Sequence, residues 1–439
     1  MQRAHYYMEL LKGHTILHKL ADPRIMGTAI DPQKWNRYVS SLPVKVGQTA
    51  TVDLEACTAS LPENAIGLSF YFLRRPLLPD WLLAIMLTPG QDPRLKIVES
   101  EERLRSLQKV AARVKRVHHQ VAVREKVPAI GRAFCELAGE KRELKGRELA
   151  EAVAEWEREE LRQAYEAILK GVIDVEELRG KDLYISPAPE MYDIPFGLLL
   201  KGDEFLNSIV ESVTVIPIFS LRQFERKGYF PDKEGVVLSL GEDWAGDTEN
   251  RAKRLSFSGW CNGVPHQKIE RGLSEFKGDA RAKYNEWIRV MAEMAMVHVI
   301  GHHHASQWSH STIQQPNLGQ FGNYLYEALQ KLSVGVLSLE ACWGGTWSEP
   351  EDLMGLFVSF IASCVSHVIA SPYSVVPACT SGRLFDRIYA CPLESGNGSV
   401  GLQIARAVRD AAEQVRHASA NFEDAIPTLW GALQLYSVP

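Results

Sequence analysis

Apolar residues along this chain recur with two different periods, and the period changes at two places. From Thr51 to Ile97, apolar runs such as IGLSFYFLRR and WLLAIMLTPG are separated by polar turns, a texture that predicts strands. From Glu101 to about Arg179 the runs break up. EERLRSLQKVAARVKRV and GRELAEAVAEWEREELRQAYEAILKGV space apolar residues three and four apart among many charges, which predicts amphipathic helices. After Gly180 short β-rich runs return: DLYISPAP, SVTVIPIF, GVVLSLG, MVHVIG, VGVLSLEA and SHVIAS. Helical stretches lie between them, including DARAKYNEWIRVMAEMA and NYLYEALQKL.

Strands alternating with helices predict an α/β fold, a mostly parallel sheet covered on both faces by helices. The expected division is an extension at 1–49, an α/β part at 50–180 and a core at 181–439. No 34-residue repeat is visible, which argues against a helical-repeat array. The segment LMGLFVSFIASCVSHVIA (353–370) carries no Asp, Glu, Lys or Arg and is close in length to a membrane span. Ser359, Ser363, Ser366 and His367 dilute it, and it divides into a helix ending near Cys364 and a β-branched strand. A buried helix plus strand is the expectation, with no membrane span.

Composition changes this picture little. Of 439 residues, 46% are hydrophobic and 23% charged, with a formal net charge of -5. That balance carries no bulk electrostatic footprint for nucleic acid. The seven cysteines, at 57, 135, 261, 342, 364, 379 and 391, include no C-x-x-C pair, so neither a zinc knuckle nor a thioredoxin-type site is indicated. MQRAHYYMELLKGH at the start has no apolar core of signal-peptide length. The expected compartment is a reducing cytoplasm, with the cysteines present as thiols.

Candidate chemistry sits where two strand-like runs stop. VHVIGHHHAS (297–306) ends an apolar run in three histidines, and VGVLSLEACWGGTW ends the next one in Cys342 and a glycine-rich turn. In open α/β sheets ligands bind beyond the carboxyl ends of the strands. If these strands are parallel neighbours, with residues 320–331 as the crossover helix, His302 and Cys342 meet at one edge. A thiolate is the nucleophilic form of cysteine, and an imidazole can take the thiol proton and later protonate a leaving amine. A sharp turn after Cys342, helped by Gly344 and Gly345, would expose backbone N–H groups to a developing oxyanion.

Other readings of these residues are weaker. His302, His303, His304 and His310 could ligate a metal, but consecutive residues on an extended chain point apart, and structural zinc sites usually take four ligands with cysteine among them. No metal is therefore expected. Gly396-x-Gly398-x-x-Gly401 fits a dinucleotide-binding spacing, but no strand precedes it. It reads as a loop before a helix, and no cofactor is implied. A cysteine at a strand end is in general a small buried hydrophobe, which is the reading kept for Cys364, Cys379 and Cys391.

The run Glu-Ala-Cys-Trp-Gly partly matches the caspase signature Q-A-C-[RQG]-G, in which a histidine lies about 50 residues upstream; here His302 lies 40 upstream. More broadly, the chain resembles the CHAT-domain family of caspase-like cysteine peptidases, in the same clan as caspases, separases and legumains. LYISPAPEMYDIPFGLLL (183–200) resembles the family's first core strand and the apolar segment after it. VHVIGH (297–302) resembles its histidine motif, and LSLEAC (337–342) its strand-plus-nucleophile run. LMGLFVSFIASCVSHVIASPYSV (353–375) and TLWGALQLYSV (428–438) resemble its later helix, strand and closing strand. Weaker similarity begins near Asp53.

The resemblance implies a caspase-like three-layer fold, with 50–180 as an inactive supporting half. It implies catalysis by His302 as acid and base and Cys342 as nucleophile, without a cofactor. The oxyanion would lie against the backbone of His303 and Cys342. Glu340, two residues before the cysteine, would border the pocket for the residue preceding the cut and favour a basic one. The implied substrate is a protein, and the implied setting is regulated proteolysis of the kind found in bacterial defence and cell-death systems, switched on by a regulatory or sensor partner. The family usually has glycine after the catalytic histidine, and His303 stands there. That difference favours the alternative, a non-catalytic signalling or scaffold module on the same fold.

Overall fold

The computed structural model describes residues 54–73, 81–99, 146–217, 235–239, 269–272, 280–292, 294–301, 334–341, 365–372, 382–393, 399–418 and 426–437, with single positions near 103–110, 144 and 255–260. Thirteen strands are found among them: β1 (Ala65–Leu73), β2 (Trp81–Leu87), β3 (Arg94–Glu99), β4 (Asp182–Ser186), β5 (Leu200–Lys201), β6 (Glu204–Phe205), β7 (Ser212–Val215), β8 (Gly235–Ser239), β9 (Ile269–Gly272), β10 (Met296–Gly301), β11 (Val336–Ala341), β12 (His367–Ala370) and β13 (Gln434–Ser437). The helices are α1 (Leu54–Ala59), α2 (Gly146–Ile168), α3 (Val175–Leu178), α4 (Leu206–Ile209), α5 (Ala280–Ala292), α6 (Gly382–Ala390), α7 (Val400–His417) and α8 (Pro427–Gly431).

Eleven strands form one sheet in the order β3-β2-β1-β4-β7-β13-β12-β11-β10-β8-β9. Two parallel blocks make up most of it. In the first, β1, β4, β7 and β13 run side by side in one direction. In the second, β12, β11, β10, β8 and β9 are also mutually parallel. Between the blocks β12 and β13 pair antiparallel, so the second block runs opposite to the first. The carboxyl ends of the two sets therefore open on opposite edges of the sheet. β2 and β3 extend the first block as an antiparallel hairpin-like margin.

Side-chain alternation explains why helices cover both faces. Val297 and Val299 of β10 and Leu337 and Leu339 of β11 join a core that includes Trp287, Ile288 and Met291 of α5. Their chain neighbours Met296, Ile300 and Val336 join a second core built on α6 and α7. This is the three-layer α/β arrangement expected from the sequence. The first core also contains Ile66, Leu68 and Phe70 of β1 and Leu183 of β4, so one sheet and one apolar layer run continuously across residue 180.

Buried polar groups hold the layers in place. α8 has no capping side chain of its own at Ile426, and its first-turn N–H groups need partners. Glu157 of α2, 1% exposed, supplies them: Thr428 donates its backbone N–H at 3.0 Å and its hydroxyl at 2.7 Å to the carboxylate. Asp182 opens β4, where its carboxylate accepts from Ser212 Oγ at 2.8 Å and from Arg406 Nη2 of α7 at 2.8 Å. That hydrogen bond holds the Arg406 guanidinium above its usual pKa. At the seam between the blocks, His367 Nδ1 lies 2.8 Å from Ser437 Oγ across the β12–β13 register. Gly401 of α7 lies over the same histidine, and a Cβ there would come within 2.6 Å of its ring. The glycine thus permits close helix–sheet packing.

Candidate active site

β10 and β11 are direct neighbours, parallel and in a register that pairs Met296 with Val336 at one end and Gly301 with Ala341 at the other. Their flanking partners stop earlier among the described residues. β8 pairs as far as Ile300, and β12 pairs as far as Ser338. The β10–β11 pair therefore forms the leading tip of the second block. In sequence, His302 follows Gly301 and Cys342 follows Ala341. His302, His303 and Cys342 themselves lie outside the described residues, as do His304, His310, the expected crossover helix 320–331 and the expected helix up to Cys364.

The described part of the tip holds a polar arrangement inside an apolar layer. His298 and Glu340 are both fully buried, at 0% exposure. His298 Nε2 lies 3.0 Å from Glu340 Oε2, and His298 Nδ1 lies 2.7 Å from the hydroxyl of Tyr389 on α6. With the carboxylate ionised, Nε2–H donates to it, and Nδ1 accepts the Tyr389 O–H when the ring is neutral or donates to that oxygen when the ring is protonated. In register His298 faces Ser338, so its bond to Glu340 is diagonal across the two strands.

Aromatic rings enclose this chain of bonds. Phe385 meets the His298 ring edge-on with centroids 4.8 Å apart, and Tyr389 packs edge-on to Phe257 and Trp260, each at 4.8 Å. The carboxyl end of α6 is clamped as well. Gly259 donates its N–H to Tyr389 O at 2.9 Å, and Trp260 Nε1 donates to Ile388 O at 2.9 Å. A Cβ on Gly259 would meet the Ala390 backbone at 2.6 Å, so only glycine fits there.

The structure thus brings the strand ends that precede His302 and Cys342 together, and it places Glu340 behind them, inside the sheet, bonded to His298. In the sequence His298 stands as the one ionisable position of the run MVHVIG. Two ionisable residues in otherwise apolar strands are a signal of mutual pairing, because buried polar groups are almost always hydrogen-bonded. Tyr389 carried no such signal, lying 91 residues from His298. The two cysteines among the described residues differ from a nucleophile in setting. Cys57 is buried in an apolar cluster, and burial pushes the Cys391 thiol up from its ordinary pKa.

Among the described residues no helix is long and apolar enough to cross a membrane. Comparison with known proteins supplies the family context. A family model for the CHAT domain matches residues 147–437, well over half of the chain. Among solved structures, the chain is similar to separase in the Saccharomyces cerevisiae separase–securin complex, with a TM-score of 0.54 and 10% identity. That alignment covers 95% of this chain and 32% of the separase chain. No curated protein matches in sequence. At that identity the likeness shows a shared caspase-like fold.

Proposed function

Because this chain belongs to the CHAT-domain family, we propose that it is a cysteine endopeptidase with Cys342 as nucleophile and His302 as general base and acid. The observation that carries this reading is the register that pairs Gly301 with Ala341 on adjacent parallel strands. Neighbouring strands lie about 4.8 Å apart, and each proposed catalytic residue is one peptide unit, about 3.8 Å, beyond a paired position.

In this mechanism His302 takes the thiol proton of Cys342, and the thiolate sulfur attacks the scissile carbonyl carbon. Backbone N–H groups of Cys342 and His303 stabilise the resulting oxyanion. The tetrahedral intermediate collapses to a thioester as His302 protonates the departing amine. Water, deprotonated by His302, then hydrolyses the thioester and restores the thiol. The substrate is a protein segment. Regulated proteolysis in the cytoplasm, in a defence or cell-death response triggered by a sensor partner, is the setting that family analogy supports.

The test is proteolysis of native and denatured protein mixtures by the full chain and by its Cys342→Ala and His302→Ala variants, with new N-termini mapped. Cuts made by the wild type and absent from both variants establish the peptidase. Identical maps from all three, with and without candidate partner proteins from the same cell, favour the non-catalytic module, to which His303 in place of the usual glycine also points.

A further inference from the structure

The buried chain Tyr389–His298–Glu340 lies two residues behind Cys342 and four behind His302 in sequence, and nothing in the dyad chemistry uses it. Its geometry differs from the other buried carboxylates. Glu157 of α2 caps the start of α8, and Asp182 bonds α7 and its direct register partner Ser212 on β7, whereas Glu340 bonds diagonally to a histidine of the adjacent strand. A diagonal bond of this kind is sensitive to register, because a slip of one residue turns either side chain to the opposite face. The third member, Tyr389, extends the tie to α6, whose end is itself fixed by Gly259 and Trp260. Strand, strand and helix are thereby locked together just behind the tip of the block.

We propose that Glu340 and Tyr389 are positioning residues that act through His298, holding β10 and β11 in the one register that sets Cys342 against His302. This rests on the peptidase reading above. It also assigns Glu340 a role different from reading substrate. A carboxylate at 0% exposure with His298 at 3.0 Å is engaged inside the protein, while a group that selects a basic side chain must face the cleft. The imidazole of His298 joins the tyrosine hydroxyl on one side to the carboxylate on the other. Removing the charge at one end or the hydroxyl at the other should loosen the same joint.

The experiment uses the full-length protein as wild type, Glu340→Gln, Tyr389→Phe and His302→Ala. Two readouts are taken: the rate at which iodoacetamide alkylates Cys342 across pH, by peptide mapping, and kcat, KM and cleavage-site preference on a peptide library. Both conservative variants should lose about tenfold in Cys342 alkylation rate and in kcat, within the range that ångström-scale misplacement of reacting groups produces. KM and the preferred residue before the cut should stay unchanged. Thermal unfolding accompanies each measurement, because a merely structural role would lower stability while leaving the folded protein's alkylation profile intact. Should Glu340→Gln fail to fold, Tyr389→Phe decides alone, since it removes only an oxygen.

Alkylation and kcat within twofold of wild type in the folded variants would overturn the positioning role. So would a Glu340→Gln protein of unchanged Cys342 reactivity that has lost a preference for Arg or Lys, which would make Glu340 a specificity residue. A wild type whose Cys342 reacts no faster than Cys391, and is indifferent to His302→Ala, would remove the dyad and the positioning role with it. The first two results leave the dyad standing.

Discussion

The two parallel blocks of the sheet are alike in construction and opposite in direction, and they use buried acid groups differently. In the first block Asp182 reaches out of β4 to Arg406 on α7 and to Ser212 on β7. Glu157 works from a helix, capping α8 beside the same block's last strand. Both carboxylates fasten a helix, and Asp182 also bonds straight across to its register partner on β7. In the second block Glu340 is bonded to a histidine of the next strand, and the fastened strands are the two that lead to His302 and Cys342. The difference teaches that one half of the sheet is braced as a scaffold, while the other is braced at the point where strand register matters most.

Removing a scaffold brace offers the largest expected effect on stability. Glu157→Ala strips a 1% exposed carboxylate from three hydrogen-bond contacts with Thr428, leaving a buried helix start uncapped. Bonds to charged groups contribute about 1.5–3 kcal/mol each and are not additive, so a loss of about 3 kcal/mol is expected. Urea unfolding followed by circular dichroism measures it, and a loss under about 1 kcal/mol would show that water replaces the carboxylate.

A smaller loss, about 2 kcal/mol, is expected for Asp182→Asn. Breaking a fully buried ion pair costs about 3–5 kcal/mol, but the Arg406 side chain is 42% exposed and can regain water. A double-mutant cycle with Arg406→Gln isolates the pair. Coupling near zero would mean that the Ser212 bond, and not the Arg406 pair, carries the contribution of Asp182.

Gly401→Ala probes the seam between the blocks, and about 1–2 kcal/mol is expected because its Cβ would press within 2.6 Å of the His367 ring in a layer with little room to yield. Calorimetry checks it, and a variant as stable as the wild type would show that the ring moves aside freely.

The smallest expected effect concerns Cys391. Its folded pKa is raised, chiefly by burial and secondarily by Asp410, so the folded state favours the thiol over the thiolate. Alkylation of Cys391 should therefore rise at higher pH than that of an exposed thiol. By the same linkage, its stabilising contribution is complete below the ordinary thiol range and is lost as pH climbs through the raised value. A Cys391 pH profile matching that of free cysteine would contradict this.

Much of the fold was legible in the sequence because a period of two and a period near 3.6 are direct records of which face is buried. DLYISPAP, GVVLSLG, MVHVIG and VGVLSLEA contain β4, β8, β10 and β11. Less legible were β9, which is four residues long and reads IERG, and the β5–β6 pair of two residues each. IERG carries two charges in place of an apolar run, and two-residue strands hold too few positions to display a period. The reversal between blocks was also hidden, since alternation reports faces and says nothing about direction or neighbour. TLWGALQLYSV was recognisable as a strand that closes the fold, but its place between β7 and β12 depends on pairings with residues about 70 and more than 200 positions away. For the candidate site, the types and order of His302 and Cys342 stood in the sequence, and the pairing of β10 with β11 brings together the strand ends that precede them. The bond from Glu340 to His298 required knowing the register, and the contribution of Tyr389 required knowing which helix lies over it.

The central position of β13 has a consequence for how the protein is made. A ribosome that has synthesised everything up to Leu433 carries two half-sheets, one ending at β7 and the other at β12, and each presents an unpaired margin where β13 belongs. Such margins are sticky templates for other strands, and contacts this distant in sequence form slowly. Until Gln434–Ser437 slot between them, the block that leads to Cys342 is not joined by the sheet to the other block. Nascent chains therefore have a built-in delay before the proposed catalytic half is complete, and a strong dependence on chaperones that shield strand edges is the expected cost.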